Sequence, residues 1–591
     1  MQKTILLLLA AMLFASTASA DELSGADLDK RRKALADLLQ EQWEYTLRTS
    51  PEFASILGDR RYNDQLSDVS EAAVKRDLAA TKKFLQRLDR INATGFSEQE
   101  AVNKALLAHN LRDNVEDIGN KEWEMPVTQI SGIHLNAAQL TSLLPFATTK
   151  DYDDYNKRLR AFPKQMDDTI ANMRKGMRDR LMPPKFLLQK VVKQAEGIGA
   201  QEPDKTPFAA PLSKFPDAVP EADRTRLRTE IIDAIRTSVL PSYRKFTAFV
   251  HDDYAPHGRK DAGLWALPDG AKRYATRVRQ STTTNLSAAE IHQIGLREVA
   301  RIEGEMLAIA KSQGFADLKS FRASLDSNPD LKGKTREHIL ELYRGYIDQM
   351  YAKLLELFGR LPKAKVIVVP VEEFREKEAS GAQYEPGSPD GSRPGRVEVN
   401  TGEAQSRKTI SMESTAYHEG VPGHHMQIAI TQELTGLPEF RRFGTNYTAY
   451  VEGWALYSEK LGKEVGFYSN PYNDYGRLQD EMLRAIRLVV DTGLHSKRWT
   501  REQVVQFFHD HTSEDEVEVQ NETDRYIVWP GQALGYKIGA LKITELREKA
   551  RKELGDKFDI RAFHDEVLGA GALPMDVLEQ RINDWIGRMK K

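Results

Sequence analysis

The 591-residue sequence contains no cysteine, so its fold must stand without disulfide bonds, which a core of this size can support. It also lacks a surplus of either charge. Its 85 basic and 87 acidic residues leave a net charge of −2, which gives no electrostatic reason to expect nucleic-acid binding. Beyond the first twenty residues, no apolar run is long enough to span a bilayer.

The N-terminus has the pattern of a secretory signal peptide over residues 1–20. Lys3 gives the positive start, Ile5 to Ala15 form the apolar run, and Ala18-Ser19-Ala20 is a small-residue cleavage site. Because no cysteine follows this site, we do not expect lipid anchoring there. We expect a periplasmic or secreted protein that has no membrane association after signal cleavage.

Helical periodicity dominates the remaining sequence and predicts a mainly α fold. The pattern covers 28–47, 72–93, 97–118, 150–178, 221–251, 287–313, 335–359, 473–496, 500–510 and 533–553. Irregular segments with several Pro and Gly residues fall at 119–149, 195–220 and 252–286. The segment 195–220 predicts a boundary between an N-terminal helical lobe, 21–205, and a catalytic helical region, 206–591.

Strand signal is confined to two short runs, Lys365–Val371 and Arg396–Asn400, separated by the turn-rich segment Gly381–Gly395. These runs predict a small β-sheet just before the stretch Ser411–Gln427.

The stretch Ser411–Gln427 is the most informative part of the sequence. His418 and Glu419 open a near-match to the zinc-protease signature, in which two His four residues apart bind zinc and a Glu beside the first acts as base. Here the candidate partners are His424 and His425 instead. On an unbroken helix, His424 would point about 240° away from His418, and His425 would lie about 10 Å from it. Neither histidine reaches a shared ion, since Zn–N bonds are about 2.0–2.1 Å long.

The sequence contains two residues that would deform a helix between His418 and His424. Pro422 has no N–H to give to the carbonyl of His418, and Gly423 is free to adopt an unusual φ. We infer a widened turn or bulge that returns His424 to the side of His418. His424 is preferred because it directly follows the bulge, and His425 remains the alternative.

The third ligand is expected at Glu452, after a loop marked by Gly436-Leu437-Pro438. Apolar and aromatic residues surround Glu452, where a carboxylate is costly unless it is paired or ligates a metal. We therefore expect one zinc ion per chain on His418, His424 and Glu452. The plainer interpretations are a Glu–Arg pair and ordinary histidines at a helix end.

Four motifs resemble those of the bacterial domain-of-unknown-function 885 family (DUF885). They are His-Glu-Gly-Val-Pro-Gly-His-His-Met-Gln, Tyr-Val-Glu-Gly-Trp-Ala-Leu-Tyr-Ser-Glu, Arg-Leu-Val-Val-Asp-Thr-Gly-Leu-His and Trp-Pro-Gly-Gln-Ala-Leu-Gly-Tyr-Lys-Ile-Gly. The family is similar to gluzincin-type helical zinc oligopeptidases of the thimet and carboxypeptidase Taq kind. The resemblance implies a large helical metallopeptidase-like fold with a central cleft, which could be one domain over 25–590, and the same three metal ligands.

Further candidates rest partly on this resemblance. A hydroxyl of Tyr526 or Tyr536 near zinc would donate to a developing oxyanion, with core packing as the alternative. His495 is a candidate transition-state group or a structural histidine, and Arg487 and Asp491 on the same helix form a possible i, i+4 pair.

The predicted sheet suggests how a peptide is held. In zinc peptidases an edge strand commonly aligns the substrate backbone as an additional strand, which makes Gly381, Ala382 and Asn400 candidate substrate contacts. A purely structural hairpin is the equal alternative.

Together these patterns predict an exported zinc-dependent metallopeptidase that hydrolyses short peptides, with Glu419 taking a proton from water and passing it to the leaving amine. One alternative is an amidase acting on another amide, such as a cell-wall peptide. Another is a non-catalytic peptide-binding protein with a structural zinc, which four protein ligands, with His425 as a candidate fourth, would favour. The sequence makes no prediction of the oligomeric state.

Overall fold

The structure is a computed structural model that describes residues 25–371, 373, 376, 379–389 and 393–591. The expected signal peptide lies outside the described residues. Within them the chain is mainly helical and carries a small three-stranded sheet, which confirms the predicted fold class.

The helices before the sheet are α1 (Gly25–Thr49), α2 (Pro51–Ile56), α3 (Glu71–Asp89), α4 (Glu98–Gly119), α5 (Ile133–Leu140), α6 (Thr149–Asp179), α7 (Lys185–Gly199), α8 (Glu221–Ala234), α9 (Leu240–Ala248), α10 (Gly270–Thr282), α11 (Ala288–Ser312), α12 (Leu318–Ser327), α13 (Arg336–Tyr351) and α14 (Leu354–Leu357).

The helices after it are α15 (Met412–Glu419), α16 (His424–Glu433), α17 (Glu439–Phe443), α18 (Thr448–Glu464), α19 (Pro471–Ser496), α20 (Arg501–His511), α21 (Glu516–Val528), α22 (Leu534–Leu554), α23 (Ile560–Leu568) and α24 (Met575–Lys590).

Eight of the ten helices predicted from periodicity are present as single helices with ends within a few residues of the prediction, whereas the predicted 221–251 is divided into α8 and α9 and the predicted 335–359 into α13 and α14. Their starts follow from capping chemistry. At α4, Ser97 Oγ accepts from the N–H of Glu100, whose carboxylate accepts from the N–H of Ser97. The same reciprocal box, made by Ser287 and Glu290, begins α11.

The expectation of irregular chain at 252–286 was wrong for part of that segment, because α10 lies inside it. Pro268-Asp269-Gly270 resembles a turn, yet the helix begins at Gly270 and buries Tyr274 and Val278. The short helix α5 likewise falls inside 119–149. α10 has few apolar positions and α5 has only eight residues, so tertiary packing determines them more than local periodicity does.

The sheet has the strand order β1–β3–β2, with β1 at Val366–Pro370, β2 at Ala382–Glu385 and β3 at Gly395–Val399. β3 runs parallel to β1 and antiparallel to β2. The two predicted runs correspond to β1 and β3, whereas β2 lies in the segment interpreted as turns. Buried Val397 and Val399 anchor β3 in the hydrophobic core that also holds α15.

The largest hydrophobic core joins the N-terminal helices to the region of α15, α18 and α22. α18 and α22 approach closely where Gly453 faces Gly539, since a Cβ on Gly539 would lie 1.7 Å from the carbonyl oxygen of Ala449. This contact fixes α18, which carries Glu452, beside α22, which carries Tyr536 in its first turn.

None of the described helices combines the length and apolar character that crossing a bilayer requires.

Candidate metal centre

Three side chains from separate helices converge at one point. Oε2 of Glu452 on α18 lies 3.3 Å from Nε2 of His424 on α16 and 3.7 Å from Nε2 of His418 on α15. The two imidazole rings are nearly perpendicular, with centroids 4.8 Å apart. Both histidines are buried, while the Glu452 side chain keeps 21% of its surface exposed. The three residues predicted from sequence are therefore brought together.

This donor set fits a zinc ion. A tetrahedral zinc with bonds of about 2.0–2.2 Å holds its ligand atoms about 3.3–3.6 Å apart. The two nitrogen–oxygen distances are 3.3 Å, which lies within that range, and 3.7 Å, which lies just above it. One ligand atom from each residue lies within 4.8 Å of the other two. Two imidazoles and one carboxylate are also the ligand types that zinc takes when a fourth position is left for water.

The chain between the two histidines is broken into two helices. α15 ends at Glu419 and α16 begins at His424, so the expected bulge within one helix is corrected to a complete break. The N–H of Gly423 donates to the carbonyl of Tyr417 at 2.9 Å, which folds the loop back onto α15. A Cβ on Gly423 would lie 2.0 Å from the carbonyl oxygen of His418. The loop therefore requires glycine because of this close approach.

The buried indole of Trp454 holds the loop between α15 and α16 in place. Nε1 of Trp454 on α18 donates to the carbonyl of Pro422 at 2.8 Å. The same helix thus supplies both Glu452 and an anchor for the loop that turns His424 toward it.

Negative charge surrounds the two histidines. Burial opposes a charged imidazole, but hydrogen bonds to Glu452 and Glu459, with Glu419 nearby, raise the pKa of His418 to about 10. Burial would raise the pKa of Glu452, yet His424 and His418 hold it well below its usual range. The site therefore has an electrostatic preference for a cation.

Glu459 was not among the residues predicted from sequence. Its Oε1 lies 2.7 Å from Nδ1 of His418, and both side chains are buried. This contact fixes the imidazole with Nε2 toward the cluster, as in the carboxylate–histidine–metal arrangement of zinc proteins. Glu459 lies two turns after Glu452 on the same face of α18, a spacing that the sequence does contain.

His425 does not belong to the cluster. Its Nε2 donates to the carbonyl of Ala364 at 3.0 Å, and its Nδ1 lies 3.1 Å from the hydroxyl of Tyr384 on β2. Burial lowers the pKa of His425 to about 4. The structure therefore selects His424 over His425, and His425 links the sheet to α16.

Glu419 lies at the C-terminal end of α15, directly after His418. Its side chain is partly exposed and makes no hydrogen bond or ion pair with any residue that the structure describes. This carboxylate directly follows a residue of the cluster, and its negative charge contributes to the raised pKa of His418.

The two candidate tyrosines have different surroundings. The hydroxyl of Tyr526 donates to the carboxylate of Glu522 and accepts from Arg487 at 3.1 Å, so its proton is already used. The oxygen of Tyr536 accepts from Nη2 of Arg525 at 3.3 Å. Burial and the negative charge of Glu452 raise the pKa of Tyr536. Tyr536 lies on α22 between Gly535 and Gly539, which pack against Thr448 and Gly453 on the helix of Glu452. Tyr526 is thus corrected from a candidate donor to a buried structural group.

The structure does not bring His495 to the cluster. Its Nδ1 accepts from the N–H of Leu264 at 3.0 Å, and its Nε2 donates to the carbonyl of Tyr526 at 2.9 Å. Burial lowers the pKa of His495 to about 3. With both nitrogens bound to backbone groups, His495 is a structural histidine, as the alternative interpretation held.

The possible Arg487–Asp491 pair is replaced by two other contacts. Nη2 of Arg487 binds Glu522 at 2.8 Å, whereas Oδ1 of Asp491 accepts from the hydroxyl of Tyr274 at 2.6 Å. α10 carries Tyr274 and α21 carries Glu522, so packing between helices selects these partners over the i, i+4 neighbour.

The candidate substrate contacts lie at one end of the sheet. Ala382 begins the edge strand β2, and Gly381 precedes it with its carbonyl accepting from the N–H of Asn400 at 2.9 Å. The Asn400 side chain is buried and donates to the carbonyls of Glu376 and Ala379. Asn400 therefore holds the chain before β2, and its amide is not directed to a substrate.

The fold and the site define a helical protein with a His–His–Glu centre whose geometry suits a metal ion. The chain belongs to the family described as bacterial protein of unknown function (DUF885), whose model matches residues 51–582.

Two solved structures are similar to it. A crystal structure from Colwellia psychrerythraea, of a protein provisionally assigned as a lipoprotein, is 32% identical, covers 94% of this chain and 100% of its own, and superposes with a TM-score of 0.90. A structure from Shewanella oneidensis, of a provisionally assigned lipoprotein of unknown function, is 18% identical, covers 92% of this chain and 99% of its own, and has a TM-score of 0.72. The second likeness concerns the fold alone. No curated protein sequence matches this chain.

Proposed function

We propose that this protein is an exported zinc-dependent metallopeptidase that hydrolyses short peptides. The observation that carries the proposal is the convergence of His418, His424 and Glu452 beside the unpartnered carboxylate of Glu419. Among the described residues, the cluster offers three ligands and no fourth. Catalytic zinc sites have this composition, whereas structural zinc sites are closed by four protein ligands.

His418, His424 and Glu452 would hold the ion. When bound, zinc would lower the pKa of water toward 7 and polarise the scissile carbonyl group. Glu459 would keep the His418 imidazole oriented for this task.

Glu419 would act as the general base and then as the general acid. Its carboxylate would accept a proton from the attacking water and pass it to the leaving amine. Its position directly after His418 keeps it at the cluster, and its freedom from other partners lets it exchange protons.

Tyr536 would assist at the developing oxyanion. Because Arg525 donates to the oxygen of Tyr536, the hydroxyl proton of Tyr536 remains available for donation. Removing one such donor typically costs about 3–4 kcal/mol of transition-state stabilisation.

The edge strand β2 would align the peptide. It contacts α15 and forms one edge of the sheet order β1–β3–β2. A substrate backbone added along β2, beginning near Gly381 and Ala382, would run past the zinc-binding helix. Export is proposed because residues 1–20 have a signal pattern and the similar protein from Colwellia psychrerythraea is provisionally assigned as a lipoprotein.

Metal analysis combined with digestion of a mixed peptide library tests the proposal. The purified protein should carry about one zinc per chain and should cleave peptides, with products identified by mass spectrometry. Glu419→Gln should keep the metal and lose most of the turnover. His418→Ala and Glu452→Ala should lose zinc.

His425→Gln is the matched control, since it changes the neighbouring histidine without removing a ligand. Circular dichroism should confirm that every variant is folded. A metal-loaded wild-type protein that leaves all peptides intact would reject peptidase activity. Unchanged zinc in Glu452→Ala would reject the ligand set.

A further inference from the structure

A pair of buried arginines lies next to Tyr536. Arg487 on α19 places its guanidinium carbon 4.6 Å from the centre of the Tyr536 ring, and Arg525 on α21 donates to the Tyr536 hydroxyl. Tyr536 in turn lies within the electrostatic influence of Glu452. Tyr536 lies on α22 between Gly535, which packs against Thr448, and Gly539, which packs against Gly453, so the arginine pair borders the helix contact that carries Glu452.

The two arginines share one carboxylate. Nη2 of Arg487 lies 2.8 Å from Oε2 of Glu522, and Nη1 of Arg525 lies 3.0 Å from Oε1 of the same residue. Glu518 is also nearby, but it forms no ion pair with either arginine among the described residues, and burial with the charges of Glu522 and Glu514 raises its pKa to about 7. Within these ion pairs, two guanidinium groups thus face a single carboxylate.

One edge of the Arg487 guanidinium has no partner. Its Nε and Nη2 both face Glu522, which directs Nη1 away from that carboxylate. The Arg487 side chain is only 6% exposed. Its Nη1 is buried and has no hydrogen-bond partner among the described residues. An unsatisfied buried guanidinium nitrogen is costly, and a ligand carboxylate is the group that matches it.

We propose that Arg487 and Arg525 bind the C-terminal carboxylate of the peptide substrate beside Tyr536. The inference rests on the proposed peptidase function and specifies its substrate class. Cleavage then occurs close to the free carboxyl end of a peptide, because Tyr536 joins the arginine pair to the metal cluster. Arg525 keeps 21% of its side chain exposed, which gives the carboxylate a route of approach.

A set of synthetic pentapeptides, each prepared as the free acid and as the C-terminal amide, tests the inference. Charge-assisted hydrogen bonds contribute about 1.5–3 kcal/mol, so the acid should be preferred about 10- to 150-fold in kcat/KM, mainly through KM. Binding to the Glu419→Gln protein, measured by calorimetry, should show the same preference without turnover.

Arg487→Met and Arg525→Met should each reduce the acid-to-amide ratio toward one. Arg547→Met is the matched control, because Arg547 is an equally buried arginine that pairs with Glu464 on α18. The control should keep the full ratio. If Arg487→Met does not fold, the Arg525→Met protein with a wild-type circular dichroism spectrum decides the outcome.

The possible failures are distinguishable. Equal cleavage of acid and amide peptides would overturn the inference and leave the peptidase function intact. If neither the acid nor the amide peptides were cleaved, the peptidase function would be rejected. The ratio of acid to amide affinity measured by calorimetry would then decide the inference by itself. A pentapeptide amide ending in Glu that binds as well as the free acids would assign the arginines to an acidic side chain and overturn the C-terminal assignment.

Discussion

Nδ1 of His418 lies 2.7 Å from Oε1 of Glu459, and this contact involves two buried side chains on different helices. It assigns the imidazole proton to Nδ1 and leaves Nε2 to face Glu452. The contact therefore determines which nitrogen of His418 is available to an ion.

Glu459→Gln should weaken zinc binding about 10- to 100-fold, because the amide holds the His418 ring less firmly and makes it less basic. Competition with a calibrated chelator measures this change. Glu464→Gln on the same helix is the control and should leave the zinc affinity unchanged, since Glu464 pairs with Arg547. Equal affinities for wild type and Glu459→Gln would contradict the role given to Glu459.

Gly423→Ala should destabilise the protein by about 1–3 kcal/mol and lower its zinc content, because the added Cβ would overlap the carbonyl of His418. Urea denaturation in the presence of a chelator separates the loss of stability from the loss of metal. Gly436→Ala, where a Cβ has no heavy atom within 4 Å, should change stability by less than about 0.5 kcal/mol. Equal effects at the two glycines would show that the loop can relax.

His495→Asn should lower the free energy of unfolding by about 1–3 kcal/mol, because it disturbs the two backbone hydrogen bonds that the imidazole makes. Zinc content and turnover per folded molecule should stay close to those of wild type. A folded His495→Asn protein with full zinc and no turnover would restore the catalytic role expected from sequence.

Asp491 should make stability depend on pH. Burial raises its pKa from 3.8 to about 7, against hydrogen bonds from Tyr274 and Gly531. Between these two values the folded state holds a proton that the unfolded state has lost, so this group makes stability fall as pH rises from about 4 to 7.

Asp491→Asn removes this titration. The variant should therefore gain stability relative to wild type as pH rises through the same window, by about 1.4 kcal/mol for each unit of pKa shift. Denaturant midpoints at pH 5 and pH 8 measure the difference. Parallel changes in the two proteins would contradict a raised pKa at Asp491.

The three residues of the His–His–Glu cluster were predictable because their signals are local. Pro422 and Gly423 predict that a helix cannot continue through them. Apolar residues surround Glu452, where an unpaired carboxylate is energetically costly. The sequence could not decide between a bulge and a complete break, since that choice depends on contacts such as the one from Trp454 to the loop.

Partner selection between distant helices was not predictable. Arg487 binds Glu522 and leaves Asp491 to Tyr274, although Asp491 is the i, i+4 neighbour of Arg487. Only the packing of α10, α19 and α21 against one another determines this choice. The helix α24 was also not predicted, but for a different reason. Leu578, Ile582 and Trp585 recur at helical spacing, so its pattern was present in the sequence.

The meeting of Gly453 and Gly539 has a consequence for how this centre can change. Since main chain rests on main chain there, the separation between the helix bearing Glu452 and the helix bearing Tyr536 is set without any intervening side chain. Side-chain substitutions around the cluster leave this spacing in place, because the main-chain contact sets the separation between the segments that carry Glu452 and Tyr536 while both glycines are kept.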